Sequence, residues 1–93
     1  MSDRRYSVEF TNQARKQLAR LDRTVQARLL KAAALLSVQP RPPAARRLAS
    51  SSELWRVRVG DHRLIYRIDD GNVVIVVARV GHRSTVYRRL EDL

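Results

Sequence analysis

The 93-residue chain has no cysteine, only three glycines and three prolines, and a single tryptophan and phenylalanine. Without cysteine there is no disulfide, no thiolate nucleophile and no thiolate metal ligand, so packing alone must hold the fold. Two histidines and nine dispersed carboxylates are too few and too scattered for a metal site, and no metal or other cofactor is expected. GxGxxG and P-loop patterns are absent, and no serine has a histidine and an aspartate at credible spacing, which sets aside nucleotide-cofactor and serine-hydrolase chemistry. No run approaches the ~18 consecutive apolar residues of a membrane span, and Met1-Ser2-Asp3-Arg4-Arg5 lacks the apolar segment of a signal peptide. A cytoplasmic location is the expectation, with no membrane partner.

What the chain has in excess is positive charge. Nineteen Lys+Arg stand against nine Asp+Glu, for a net charge of +10 and a pI near 11.5. Polyanions are the natural partners of such a surface. Seventeen of the nineteen are arginine, whose planar fork can hold a phosphate through two hydrogen bonds where lysine offers a point charge. A GC-rich genome would also raise arginine over lysine, but it does not account for the excess of positive over negative charge.

The length suits one domain over residues 1–93, with one core and no linker. Tyr6, Val8 and Phe10 alternate with Ser7 and Glu9, as in a short strand. Thr11 or Asn12 can cap a helix in which Ala14, Leu18, Leu21 and Val25 share a face. Asp22 suits a stop and restart, and a second helix carries Leu29, Leu30, Ala33 and Leu36. Helices this short need an apolar surface to pack on. Pro40, Pro42 and Pro43 end the helical pattern, and Ala49-Ser50-Ser51-Ser52 reads as a polar turn. Beyond it Trp55, Val57 and Val59 point one way and Arg56 and Arg58 the other. Gly60-Asp61 is a hairpin signal, after which Leu64, Tyr66 and Ile68 alternate with Arg63, Ile65 and Arg67. Asp70-Gly71-Asn72 is the next turn. Val73 to Val80 reads as a central strand, broken by Gly81, and Ser84 to Leu93 as a short strand or a turn of helix. The expected fold is α+β: an N-terminal strand, a two-helix hairpin, then a three- to four-stranded, mainly antiparallel twisted sheet, with the helices on one face and arginines on the other.

One constellation stands out. Strand alternation groups Arg56 with Arg58, the turn at Gly60-Asp61 brings Arg63 alongside, and the break at Gly81 lets Arg83 and Tyr87 fold back toward them. The stretch from Leu54 through Asp69 (LWRVRVGDHRLIYRID), followed by Val80-Gly81-His82-Arg83 and Val86-Tyr87, resembles the RelE/ParE toxins, and among them the RelE-like messenger RNA endonucleases. Pro40-Arg41-Pro42 and Arg47-Leu48 add to the likeness, which covers nearly the whole chain. The resemblance implies a type II toxin that cuts messenger RNA in the ribosomal decoding site. There a ribose 2′-hydroxyl attacks its own phosphate, giving a 2′,3′-cyclic phosphate and a free 5′-hydroxyl. By residue it implies catalytic roles for Arg63, Arg83 and Tyr87 and RNA or ribosome binding by Arg56, Arg58 and His82. It also implies an antitoxin partner, acidic and partly disordered when free, besides ribosome and messenger.

Fixed guanidinium groups would stabilise the charge that builds on a pentacoordinate phosphorus without a metal. The general base stays open between Tyr87, whose phenolate neighbouring arginines would favour, and His82, the side-chain type that titrates near neutrality. Arginine at 56 and 58, where many relatives have lysine, excludes a deprotonated lysine there. Simpler readings accompany these. Arg56, Arg58 and Arg67 also suit a solvated face, Arg79 and Arg88 read as solvated or antitoxin-facing, Tyr66 as core and His62 as half-buried packing. Trp55 falls on the core face, so stacking platforms for single strands are scarce. Two other functions remain: a ParE-like inhibitor of DNA gyrase with no nuclease activity, and a non-enzymatic RNA- or ribosome-binding module.

Overall fold

The computed structural model describes residues 5–49 and 51–88. Its elements are β1 (Ser7–Phe10), α1 (Asn12–Ala19), α2 (Arg23–Leu36), β2 (Arg46–Leu48), β3 (Ser51–Val59), β4 (His62–Asp69) and β5 (Val74–His82). The strands form one sheet in the order β1-β5-β4-β3-β2. β1 runs parallel to β5, and every other pairing is antiparallel. The expected α+β sandwich is present, with β2 as the fourth strand after the helices. Among the described residues no helix is long and apolar enough to cross a membrane.

Local chemistry sets the boundaries of the helices. Thr11 caps α1, its hydroxyl oxygen accepting from the Ala14 amide at 3.1 Å. Asp22 is the N-cap of α2, but its side chain makes no capping bond. The connection is closed instead by Gln26, whose amide donates to the Leu21 carbonyl at 2.8 Å. Ala14, Leu29, Ala33 and Leu36 on the helices bury against Val57, Leu64, Tyr66, Ile75, Val77 and Val80 on one sheet face. Tyr66 is fully buried, and its hydroxyl donates to the Pro40 carbonyl at 2.8 Å. Burial pushes its pKa up to about 12, opposed in part by Arg41.

The turn after β4 uses Asp69, which accepts from the backbone and side-chain nitrogens of Asn72 at 3.0 and 2.8 Å. Those bonds hold its carboxyl below the ordinary carboxylate range. Val73 has φ 57° and belongs to the turn, so β5 begins one residue later than the apolar run. Nor does β5 stop at Gly81; it continues to His82, because Gly81 pairs across to Arg63 without needing an unusual backbone.

One irregularity decides which way the second half of β5 faces. Ile65 pairs with Arg79 but Tyr66 with Val77, so Ala78 is an extra residue in β5, a bulge that shifts side-chain parity. Helix α1 takes up nearby backbone groups. The Thr11 hydroxyl donates to the Ala78 carbonyl at 3.1 Å, and Gln17 accepts from the Val80 amide at 3.0 Å. Before the bulge Ile75 and Val77 enter the core, and after it Val80 does. Arg79 and Gly81 therefore turn to the face away from the helices.

Candidate nucleic-acid interface

On that second face the ladder lines up Arg46 with Arg56, Arg56 with Ile65, and Ile65 with Arg79. One row further on, Arg58 pairs with Arg63, and Arg63 with Gly81. Gly81 offers no side chain beside Arg63. Arg63 is only 8 % exposed, and its guanidinium donates to the carbonyls of Gly60 at 3.2 Å and His62 at 2.9 Å. The β3–β4 turn thus fixes one end of the fork. Arg58 is exposed and Arg56 half-buried.

The chain after β5 folds back in turns over this face. The amides of Thr85 and Val86 donate to the His82 carbonyl at 3.0 and 2.9 Å. Val86 is buried with Leu48, Leu54 and Ile65 in a small second cluster, lying over Gly81 so closely that a Cβ there would meet it at 3.5 Å. The Arg83 amide donates to the Asp61 carbonyl at 2.8 Å, and its Nε lies 3.7 Å from the Asp61 carboxylate. Both side chains are well exposed, so the ion pair is weak and a phosphate can displace it. Tyr87, beside Val86, is 38 % exposed.

The structure thus brings Arg58 and Arg63 together, ties Arg83 to the same β3–β4 turn, and puts Tyr87 on the segment folded over Gly81. His82 is not brought into that group. It pairs with His62, on the face that carries Leu64 and Val80, with the two rings T-shaped at 5.5 Å. A backbone N–H can only donate, and the Ser84 amide lies 3.1 Å from His82 Nδ1. That nitrogen is therefore the acceptor, and in the neutral ring the proton sits on Nε2. In this tautomer His82 presents a donor outward.

Arg79 corrects an expectation. Read as solvated or antitoxin-facing, it is 3 % exposed and donates to the carbonyls of Val86 and Arg88. The bulge at Ala78 points it under the returning segment, which it holds by main-chain atoms. Arg88, by contrast, is exposed. Val86 and Asp61 also escaped notice as site-building residues, since neither an isolated valine nor a turn aspartate signals that role locally.

A strand, a helical hairpin and a four-stranded antiparallel sheet with the first strand added in parallel make up the architecture of the RelE/ParE toxins. Residues 8–87 match the family model described as ParE toxin of type II toxin-antitoxin system, parDE. The chain belongs to this family. It is 39% identical over 88 residues to Toxin RelG of Mycobacterium tuberculosis, across 90% of this chain and 98% of the relative. Among solved structures it resembles the toxin-antitoxin complex RelBE2 of the same organism (TM-score 0.76, 34% identity, 85% of this chain and 99% of the other). It is also similar to the intact RelBE toxin-antitoxin complex of Escherichia coli (TM-score 0.73, 28% identity, 83% and 95%).

Proposed function

We propose that this toxin is a ribosome-dependent messenger RNA endonuclease acting in the cytoplasm, and that Arg63, Arg83 and Tyr87 carry the reaction. The observation that supports this most is the pairing of Arg58 with Arg63 beside a side-chain-free Gly81, with Arg83 joined to the turn that fixes Arg63. Two cationic forks at one end of the sheet suit a phosphate that gains negative charge. In the reaction the 2′-oxygen bonds to phosphorus as its proton passes to a base, and the bond to the 5′-oxygen breaks as that oxygen gains a proton. Tyr87 is the base in this reading, because His82 stands on the opposite face of the sheet from Arg63. Arg56 and Arg58 hold the RNA backbone, and the ribosome shapes the messenger so that the 2′-hydroxyl lies in line.

The partner in this reading is an antitoxin, as in the two complexes above. α2 leaves Leu30, Leu35 and Val38 exposed at its outer side and C-terminal end, an apolar surface that a folding-upon-binding segment can cover.

End-mapping of a ribosome-bound messenger tests the proposal. Cuts ending in 2′,3′-cyclic phosphate are expected with ribosomes, including after chelation that leaves the ribosomes intact, and not on naked RNA. The match to a model described as a ParE toxin favours one other reading, inhibition of DNA gyrase. Loss of supercoiling activity with translation untouched would establish that instead.

A further inference from the structure

Two arginines are buried among the described residues, Arg63 and Arg79. The fork of Arg63 is tied to the β3–β4 turn, whereas Arg79 is tied to the segment that carries Tyr87. Its Nη1 donates to the carbonyl of Arg88 and, at 3.5 Å, to that of Val86, so one nitrogen reaches the main chain on both sides of Tyr87. The same stretch is seated on Leu48, Leu54 and Ile65 through Val86. Apolar contact is non-directional, so it sets the height of the segment above the sheet but not its register along it. A leucine or valine at 79 would enlarge that cluster without giving up hydration, as a guanidinium beneath the segment must. What arginine adds is direction, with N–H donors in a rigid fork.

We infer that Arg79 is a positioning residue, which fixes where Tyr87 stands relative to Arg63 and Arg83 and touches no substrate itself. The inference rests on the reading of Tyr87 as the base. Arg79 pairs with Ile65 two residues before Gly81 pairs with Arg63, so the hold on Tyr87 and the fork of Arg63 spring from one face of the same two strands. The Ala78 bulge that turns Arg79 to this face is itself held by Thr11 and Gln17 of the helical layer. Through Arg79 the position of Tyr87 is thus referred to the centre of the sheet rather than to the exposed turn around it. At 3 % exposure Arg79 is closed to an RNA phosphate while the segment is in place. Its use of a single nitrogen has a corollary. A lysine ammonium, with three donors on one atom, can stand in for Arg79, although it cannot for the two-pronged contact of Arg83.

Arg79→Met keeps the reach of the side chain and removes its donors. Single-turnover cleavage of messenger at saturating ribosome should fall by roughly 10- to 100-fold, the scale of a displacement of about an ångström, with the half-saturating ribosome concentration unchanged. Arg79→Lys should recover most of the rate. In a Tyr87→Phe background Arg79→Met should cost little more, because groups that act through one another are not additive. NMR relaxation of the isolated toxin reads the same hold without catalysis. The amide order parameters of Val86 and Arg88 should drop from ~0.85 toward ~0.6 in Arg79→Met and stay near wild type in Arg79→Lys, while those of β4 hold. Arg79→Gln, polar but too short, gives the same reading if the methionine variant does not fold. An unchanged rate, unchanged order parameters, or an undiminished loss in the Tyr87→Phe background overturns the inference. A wild-type toxin that cuts no ribosome-bound messenger overturns the reading of the reaction instead, and the order parameters then still decide whether Arg79 holds the segment.

Discussion

Val86→Ala should detach the segment that carries Tyr87 while leaving the sheet intact. Val86 is 3 % exposed, and the substitution removes two methyl groups. At ~0.8 kcal/mol each their burial is worth about 1.6 kcal/mol, and an uncollapsed cavity would raise the loss toward ~3 kcal/mol. The segment has solvent on its outer side and can settle, so about 2 kcal/mol is expected. If the whole domain shared that loss, the melting temperature would fall by roughly 8–16 °C. The segment is joined to the body by few bonds, so the cost should appear as local opening. Amide exchange measured by NMR should accelerate up to about 30-fold at Val86 and Arg88, whose amides donate to His82 and Thr85, with little change in the core of β4. Single-turnover cleavage of ribosome-bound messenger should fall by roughly 10- to 100-fold, the scale of a displacement of about an ångström. Unchanged exchange at 86 and 88 would show that Val86 does not hold the segment. Faster exchange with wild-type cleavage would show that the position of Tyr87 is irrelevant to the chemistry.

Arg83→Ala should lower the single-turnover rate by roughly 10²–10³-fold with the fold retained by circular dichroism, and Arg83→Lys should recover little, since an ammonium cannot form the two-pronged contact. Tyr87→Phe should cost about 10²–10⁴-fold, whereas His82→Ala should cost far less; the reverse order in rates measured across pH would make His82 the base. Tyr66 makes a separate prediction for stability. Its folded pKa, about 12, lies above the ordinary tyrosine value of 10.0, so the stability it confers is complete below pH ~10 and lost as pH rises toward ~12. Urea midpoints between pH 9 and 12 should show that decline in the wild type and a shallower one in Tyr66→Phe.

The periodicities of the sequence were enough for both helices, for β1 and for the β3–β4 hairpin, because each has one clear apolar stripe. β2 was hidden. Arg46-Arg47-Leu48 is too short to show alternation and follows three prolines, and its strand character comes from pairing with Arg56 and Trp55. Counting by twos along β5 from Val73 puts Arg79 on the core side with Ile75 and Val77. The Ala78 bulge, which reverses that parity, depends on Thr11 and Gln17 more than sixty residues away. The same distance effect separates His82 from Arg83: adjacent in the motif, one stands on the helix face and the other turns back to Asp61. For the candidate site, residue types were legible, but the supports of Arg63, Arg83 and Tyr87 were not, since they are backbone carbonyls and a buried valine.

The parallel pairing of β1 with β5 has a consequence in time. Val8 and Phe10 find Ile75 and Val77 only after those residues have left the ribosome making the chain. The inner strand β5 must therefore be synthesised before the first strand has anywhere to dock. Non-local closure of this kind is slow, and it leaves apolar residues of β1 and both helices waiting in solvent meanwhile. Gly81, Arg83 and Tyr87 emerge later still. The face that the segment after β5 covers is therefore the last part of the molecule to be completed.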